Sequence, residues 1–329
     1  MIRIEVTGGQ LLPEDISREN WAGMMTDIQL FQPAIDNICS ALNLRKSAGP
    51  AAGHPGSSAV FVIDDRVVIK VYPPIFAADY AIELAAYERL NGQGEEIPVL
   101  FAAGTYKDRI DWPFLVFQFC PGVPIRDVYP RLASADRIRL AGQVGEVLKS
   151  VYQTAVIPVW PFKPWQGFVM QRGHECPAEL RENTLLPPDL VSRIEAFLKE
   201  ILPDLLHEQT HLLNADLTDD HILITQENGS WDLEAIIDWG DAQIGQPLYE
   251  WIAAWFGFCR MDAPMFRALM AAATPRHAFD VPFKRKLLAC TFLHRFGPLI
   301  IQERWQAAPP PAELTLSSLA AWLWPGIME

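Results

Sequence analysis

A stretch of two short apolar strands around a tight turn constrains the fold of this chain most strongly. It reads LLNADLTDDHILITQENGSWDLEAIIDWGDAQIG and covers residues 212–245. Asp216 follows the first apolar run and Asp238 ends the strand LEAIID, while Asn228-Gly229 between them is the dipeptide most typical of a hairpin turn. Strands joined in this way bring their far ends together, so we expect the two carboxylates to lie near each other.

Two carboxylates a few ångströms apart repel each other, and a divalent cation relieves that repulsion. Mg²⁺ prefers carboxylate oxygens and is commonly held by one or two of them together with phosphate oxygens. The alternative is that Asp216 and Asp238 each serve only a turn or a helix N-terminus. The upstream residues described below favour the magnesium site.

Composition limits the classes of protein to consider. A chain of 329 residues exceeds one compact core and predicts two domains, and its 50% hydrophobic and 20% charged residues are typical of a globular protein. The formal net charge of -13 makes nucleic acid and anionic membrane surfaces poor partners.

The cysteines and the apolar runs predict the compartment. Five cysteines, an odd number without a Cys-x-x-Cys pair, argue against a disulfide framework or a zinc site and fit a reducing environment. The first residues lack a basic segment followed by an apolar core, and no apolar run approaches the ~20 residues needed to cross a bilayer. The prediction is a cytoplasmic protein.

The order of strand and helix patterns predicts an α+β fold with two lobes. Residues 1–120 are expected to form a small β-rich N-lobe that binds nucleotide, with a helical N-terminal extension, a five-stranded sheet and one further helix. Residues 121–329 are expected to form a larger helical C-lobe with the catalytic hairpin, the metal site and the acceptor site. The sequence VIPVWPFKPWQGFVMQRGHECPAEL within it, residues 156–180, is expected to be a connection.

Phosphoryl transfer needs a cation and backbone donors for the phosphates, a divalent metal, and a group that orients the attacking hydroxyl. Lys70 in the strand VVIKV faces either solvent or a ligand, depending on register. Glu83 lies in the next helix, where it could pair with Lys70; Glu88 is a second choice, but its neighbour Arg89 indicates a surface ion pair.

The segment GHPGSS, Gly53–Ser58, could bend over phosphates because glycine permits close backbone approach. Ser57 and Ser58 are its candidate phosphate contacts. The segment matches neither Gly-x-Gly-x-x-Gly nor a Walker loop, so an ordinary loop is the alternative.

Read together, NADLTDDHIL and IIDWGDAQIGQPLYEW resemble the aminoglycoside phosphotransferase family, whose members are small-molecule kinases with a protein-kinase-like fold. The family pattern is His-Gly-Asp-Leu-His-x-x-Asn, a hairpin, and then Ile-Asp-Trp-(Glu/Gly)-Asp-Ala. The resemblance extends from about residue 50 to 300 through VVIKVY, IELAAYERL and FLVFQFCPG. Within the family, the chain is also similar to hygromycin-type phosphotransferases.

The resemblance implies a role for each aspartate. Asp216 would be the catalytic base, and Asp238 would ligate Mg²⁺. Lys70 would hold the α- and β-phosphates of ATP or GTP, and Glu83 would position Lys70.

The resemblance also implies that Gln118, Phe119 and Cys120 form the hinge that binds the adenine through the backbone.

Three positions depart from the family pattern. Asn214 and Ala215 replace its first histidine and glycine, and His221 replaces the asparagine that is the second metal ligand. Magnesium prefers oxygen to imidazole nitrogen. His221 could ligate the metal, bind a metal-bound water or only cap the strand that follows it, and Asp219 or Asp220 could share its task.

The acceptor is less well defined by the sequence. Asp219, Asp241 and Glu250 are candidate contacts for a small, hydroxylated, cationic acceptor. Further acids and three tryptophans that could stack on a sugar are weaker candidates, each more typical of surface or core: Glu175, Glu179, Asp262, Trp165, Trp251 and Trp255.

The predicted function is ATP-dependent O-phosphorylation of an aminoglycoside-like antibiotic by a monomer or dimer, with Mg²⁺ as cofactor. Two alternatives stay open. The acceptor could be a metabolite of the choline, ketosamine, homoserine or thiosugar type, or the chain could be an inactive nucleotide-binding module, for which His221 is the only support.

Overall fold

A computed structural model describes residues 1–9, 12–54, 56–155, 160–206, 209–274 and 279–328. The chain forms two compact units. Unit 1 comprises Met1–Val123, Leu223–Thr225 and Glu234–Asp241, and unit 2 comprises Pro124–Ile222, Gln226–Leu233 and Ala242–Glu329. The sequence predicts a single boundary after residue 120, whereas the structure also assigns both arms of the hairpin in part to unit 1.

Unit 1 is built on a six-stranded sheet in the order β1-β5-β6-β4-β3-β2. The strands are β1 (Ile2–Thr7), β2 (Ala51–Ala52), β3 (Ala59–Ile63), β4 (Val67–Val71), β5 (Leu100–Lys107) and β6 (Asp111–Gln118). Only β1, which pairs with β5, runs parallel to its neighbour. The two-residue β2 is the strand that the sequence patterns do not predict.

Three α-helices pack on this sheet: α1 (Arg18–Met24), α2 (Ile28–Ala41) and α3 (Ala77–Leu90), the last preceded by a 3₁₀ turn at Pro74–Phe76. Alternation along the strands gives the two faces of the sheet different partners. Phe61 and Trp112 on one face join a buried cluster with Trp21 of α1 and Phe31 of α2.

The opposite face carries Lys70 and is covered by α3, where the Tyr87 ring packs 4.6 Å from that of Phe117.

The β9–β10 hairpin is formed as the sequence predicts. Strands β9 (Ile222–Glu227) and β10 (Ser230–Ile236) are joined at Asn228 and Gly229, both with positive φ (51° and 85°), as a two-residue hairpin turn requires. A short strand, β7 (Val123–Pro124), pairs with β9, and β8 (His211–Leu213) pairs with β11 (Gln243–Gly245).

Unit 2 is mainly helical. Its α-helices are α4 (Ile125–Val128), α5 (Ser134–Gln153), α6 (Trp165–Asn183), α7 (Pro188–Leu206), α8 (Pro247–Ala253), α9 (Ala263–Ala273), α10 (Val281–Leu293), α11 (Gly297–Ala307) and α12 (Leu316–Leu323). A 3₁₀ turn at Tyr129–Arg131 and a π-helical segment at Ala254–Phe258 complete the helical elements of the described residues. A sheet unit and a helical unit make up the predicted α+β layout.

Helix α6 replaces a predicted connection. Its buried residues Trp165, Val169, Cys176 and Leu180 recur at helical spacing and bury one stripe of the helix, although Pro177 lies within it. The proline and tryptophan content of the segment obscured this periodicity. Residues 156–159, at the start of the predicted connection, lie outside the described residues.

Along the described ranges, none of the helices combines the length and the apolar character required to cross a bilayer.

We expect Gly104→Ala to destabilise unit 1. A Cβ at Gly104 would collide with the Ile4 carbonyl of β1 and lie 2.7 Å from the Phe114 ring, and such overpacking typically lowers the free energy of unfolding by about 1–3 kcal/mol. Gly142→Ala is the control, because a Cβ there meets no atom within 4 Å and alanine favours helix α5. Urea titrations measure both, and equal stabilities would contradict the β1–β5 pairing.

Candidate active site

Three predicted residues of unit 1 meet around one ammonium group. Lys70 Nζ on β4 lies 2.7 Å from Glu83 Oε1 on α3 and 3.4 Å from Asp238 Oδ2, which follows β10. The ring of Phe117 lies 5.9 Å below the same nitrogen. Lys70 therefore faces the interior of unit 1, and of the two glutamates it pairs with Glu83.

The other candidate, Glu88, pairs at the surface with Arg3.

Burial and charge act in opposite directions on this group. Burial by itself lowers the pKa of Lys70, but the carboxylates of Asp238 and Glu83 outweigh it, so the pKa lies above its ordinary value and the ammonium stays charged. Burial raises the pKa of Glu83, and the charge of Lys70 opposes that rise. The second oxygen of Glu83, Oε2, accepts a hydrogen bond from the Tyr72 hydroxyl.

Asp238 is held by its own backbone turn. It has a φ of 58°, and the N–H of Gly240 donates to its Oδ1 at 3.2 Å. The next residue, Trp239, is fully buried and anchors the turn by donating from Nε1 to the Ile236 carbonyl. The Asp238 side chain remains 40% exposed, so its oxygens are accessible to a ligand as well as to Lys70.

The segment Gly53–Ser58 lies between β2 and β3 in the chain. The N–H of Gly53 donates to Val60 O at 2.8 Å, which closes the loop at its base. Ser58 is buried at the start of β3, whereas Ser57 is partly exposed. Of the two predicted phosphate contacts, Ser57 is the accessible one, and Pro55 lies outside the described residues.

The predicted hinge continues from the end of β6. The N–H groups of Gln118 and Phe119 donate to the carbonyls of Val99 (2.9 Å) and Arg66 (3.1 Å). These two N–H groups are therefore engaged within unit 1. Burial raises the pKa of the Cys120 thiol to about 11, which keeps it neutral.

In unit 2, Asp216 lies in the loop between β8 and β9. Glu250 on α8 accepts hydrogen bonds from the backbone of this loop. The N–H groups of Asn214 and Ala215 donate to Glu250 Oε2 (2.9 Å) and Oε1 (3.2 Å). The N–H of Asp216 donates to Asn214 Oδ1 at 3.1 Å, and Ala215 has a φ of 63°. These bonds turn the loop so that the Asp216 side chain is about 20% exposed.

Glu250 is completely buried, with both oxygens committed to the loop. This geometry makes it a brace for the loop, in place of the acceptor contact expected from the sequence. Burial, followed by the nearby charge of Asp216, raises the pKa of Glu250 to about 8, against two backbone hydrogen bonds that lower it.

His221 is oriented by the same loop. Its Nδ1 lies 2.9 Å from the Asp216 carbonyl, which can only accept, so Nδ1 must carry the proton. Thr218 Oγ1 lies 3.1 Å from the same nitrogen and itself donates to Asp220 at 2.6 Å. When the ring is uncharged, a proton on Nδ1 leaves the lone pair on Nε2, which is the form in which histidine ligates metals.

The remaining acceptor candidates have different environments. Arg260 Nε lies 2.6 Å from Asp219 Oδ2, and this carboxylate is largely buried beneath the arginine. Asp241 is partly exposed in the turn after Asp238 and belongs to unit 1. Trp165, Trp251 and Trp255 are at most 2% exposed and form core.

Glu175 and Glu179 pair with Arg172, and Asp262 caps α9 and pairs with Arg137.

Comparisons with known proteins bear on this arrangement. A family model described as the phosphotransferase enzyme family matches residues 51–281, more than half of the chain. The chain belongs to this family. It is a small-molecule phosphotransferase, as its sequence motifs predict.

Solved structures confirm the kinase-like α+β fold. The GDP complex of aminoglycoside 2'-phosphotransferase-IIIa is 17% identical with a TM-score of 0.64, covering 82% of this chain and 96% of its own. The streptomycin–ATP complex of APH(2")-IIa is 18% identical with a TM-score of 0.56, covering 78% and 86%. APH(3'')-Id from Streptomyces rimosus is 18% identical with a TM-score of 0.54, covering 82% and 98%.

No curated protein matches the chain significantly.

Sequence patterns missed two members of these networks. Tyr72 lies two residues after Lys70, and period-2 alternation could have placed both side chains on one face of the strand. Arg260 gave no signal, because its contact with Asp219 spans 41 residues and depends on a left-handed backbone at residue 260 (φ 50°).

Glu250 predicts a pH dependence of stability. Its pKa in the folded protein, about 8, exceeds its ordinary value of 4.5, so between these values only the folded protein keeps the proton. The stability of the native protein relative to Glu250→Gln should therefore fall by about 2–5 kcal/mol as pH rises from 5 to 8. Urea titrations at several pH values measure this difference, and a constant or rising difference would contradict it.

Proposed function

We propose that the protein transfers the γ-phosphate of ATP or GTP to a hydroxyl group of a small molecule. The assembly of Lys70, Glu83 and Asp238 in unit 1 is the observation that carries this proposal. A buried, charged ammonium that faces a partly exposed carboxylate is suited to a magnesium-bound triphosphate. The assembled network also argues against the inactive-module alternative.

In unit 1, Lys70 would bind the α- and β-phosphates while Glu83 holds it in place. Ser57 and the backbone of its loop would contact phosphate oxygens, and the segment Gln118–Cys120 would bind the base.

Asp238 would hold Mg²⁺, and the donors present fit that ion. Its carboxylate oxygens are accessible. The described residues contain no group of three or more His, Cys, Asp and Glu side chains that could hold a metal ion, so ligands from outside the protein would be needed as well. Water and phosphate oxygens would complete the coordination, as is usual for magnesium. When bound, the ion neutralises charge on the phosphates.

In unit 2, Asp216 would orient the acceptor. Its carboxylate would accept the hydroxyl proton while the hydroxyl oxygen bonds to the γ-phosphorus and the bond to the β-phosphate oxygen breaks, which releases the nucleoside diphosphate. The bonds from Glu250 to Asn214 and Ala215 support this role, because they fix the backbone next to Asp216. His221 would offer Nε2 to the metal or to a metal-bound water.

An aminoglycoside-like antibiotic is the first candidate acceptor, and the chain would then confer resistance. Its support is the family and the resemblance in fold to phosphotransferases such as the streptomycin complex of APH(2")-IIa.

A metabolite of lower positive charge is the second candidate, and the ion pairs of unit 2 favour it. Asp219 forms an ion pair with Arg260, and Glu179 forms one with Arg172. Glu250 accepts hydrogen bonds from the loop backbone. Carboxylates engaged in this way are less available to a polycation.

A substrate panel tests the proposal. We expect the protein with MgATP to release ADP when given one class of acceptor, either aminoglycosides or hydroxylated metabolites such as choline, ketosamines, homoserine or thiosugars. Asp216→Asn should lower turnover by about 10²–10⁴-fold with nucleotide affinity unchanged, because it removes a positioned base. Full activity of this variant would show that Asp216 is not the base, and growth of a sensitive host on antibiotic would identify the first candidate.

Asp238→Ala should abolish the magnesium dependence of nucleotide binding, since it removes the carboxylate assigned to the ion. Calorimetric titrations of ADP with and without Mg²⁺ measure this effect, with Asp241→Ala as a matched control three residues away. The same Mg²⁺ dependence in Asp238→Ala and the native protein would contradict the assignment.

A further inference from the structure

Tyr72 is the fourth member of the network around Lys70. It directly follows β4, and its N–H donates to Pro113 O at 2.8 Å, which extends the strand pairing by one residue. The residue is 1% exposed, its ring packs edge-on at 5.5 Å from Tyr80 of α3, and its hydroxyl donates to Glu83 Oε2. Backbone, ring and hydroxyl are thus all held by unit 1.

The two oxygens of Glu83 are divided between two donors. Lys70 takes Oε1 at 2.7 Å and Tyr72 takes Oε2, in a carboxylate that is only 1% exposed. A buried carboxylate needs hydrogen bonds on both oxygens, because water cannot compensate for a missing one. With both donors in place, rotation of the carboxylate about its terminal bond would break two bonds at once.

We propose that Tyr72 is a positioning residue for nucleotide binding, which acts by fixing the Glu83 carboxylate so that its Oε1 faces Lys70. The inference rests on the proposed function, in which Lys70 binds phosphate.

Loss of the hydroxyl would change the competition for Lys70. Asp238 Oδ2 already lies 3.4 Å from Nζ. A Glu83 carboxylate without its second donor is free to turn, and the ammonium can then move towards Asp238. That movement would draw the cation away from the position that Glu83 defines and would occupy the carboxylate assigned to magnesium.

Tyr72→Phe tests the role of the hydroxyl, since it keeps the ring that packs on Tyr80. We expect the Kd for MgADP and the KM for ATP to rise about 5–20-fold, and kcat at saturating ATP to stay within about threefold, as for loss of one hydrogen bond to a charged group. Tyr80→Phe is the matched control: it removes a hydroxyl from the same ring pair without removing a donor to Glu83. Equal affinities of Tyr72→Phe and the native protein, or an equal loss in the control, would overturn the proposal.

A double-mutant cycle separates positioning from a merely structural contribution. If Tyr72 acts through Glu83, the double variant Tyr72→Phe/Glu83→Ala should bind MgADP no more weakly than Glu83→Ala alone. Multiplying losses would show that Tyr72 acts by another route.

The native protein without nucleotide provides an independent measurement. A tyrosine hydroxyl bound to a buried carboxylate exchanges slowly with water, so NMR of tyrosine-labelled protein should show a protected hydroxyl signal that disappears specifically in Tyr72→Phe. An absent signal would overturn the inference whatever the nucleotide results. A present signal together with no nucleotide binding by the native protein would refute the proposed function and the nucleotide role of Tyr72, while leaving the hydrogen bond itself established.

Discussion

The buried ion pair between Lys70 and Glu83 is the interaction on which the candidate nucleotide site depends. Taking both charges out of water is unfavourable, and the attraction between them offsets that loss only with good geometry and with every remaining polar atom bonded. Here the Nζ–Oε1 distance is 2.7 Å, the Tyr72 hydroxyl satisfies the second glutamate oxygen, and Asp238 lies 3.4 Å from the ammonium. Strand β4, helix α3 and the turn after β10 must all keep their positions for this to hold.

Unit 2 also contains a buried acid, Glu250, and backbone N–H groups supply its hydrogen bonds. Glu250 is fully buried, and the N–H groups of Asn214 and Ala215 supply hydrogen bonds to both of its oxygens. The loop that carries Asp216 therefore depends on an acid from α8, and that acid depends on the loop. Such mutual dependence explains how Ala215 is kept in a left-handed conformation that non-glycine residues rarely adopt.

Charge pairing also bears on the acceptor. The net charge of -13 indicates a surface that attracts cations, yet several acids of unit 2 already bind arginines or backbone. Net charge describes long-range attraction, whereas binding of an ammonium group requires carboxylates that are available at the site. A chain can therefore have a large negative net charge and still offer few available carboxylates at its acceptor site. A panel of acceptors with different charges distinguishes the two effects.

The sequence by itself determined the local features. Short apolar runs and the Asn228-Gly229 turn specified the hairpin, and the motifs around Asp216 and Asp238 identified the family and the enzyme class. These signals are local, because turn chemistry and side-chain periodicity act over a few residues.

Only the tertiary structure decided which partners each polar group has. Lys70 pairs with Glu83, and Arg260 pairs with Asp219. Glu250 accepts hydrogen bonds from the loop backbone, and Trp251 is buried in the core. Such contacts join residues far apart in the chain, and their strength comes from burial, which a sequence pattern does not specify. The predicted convergence of Asp216 and Asp238 stays a prediction of the hairpin pattern.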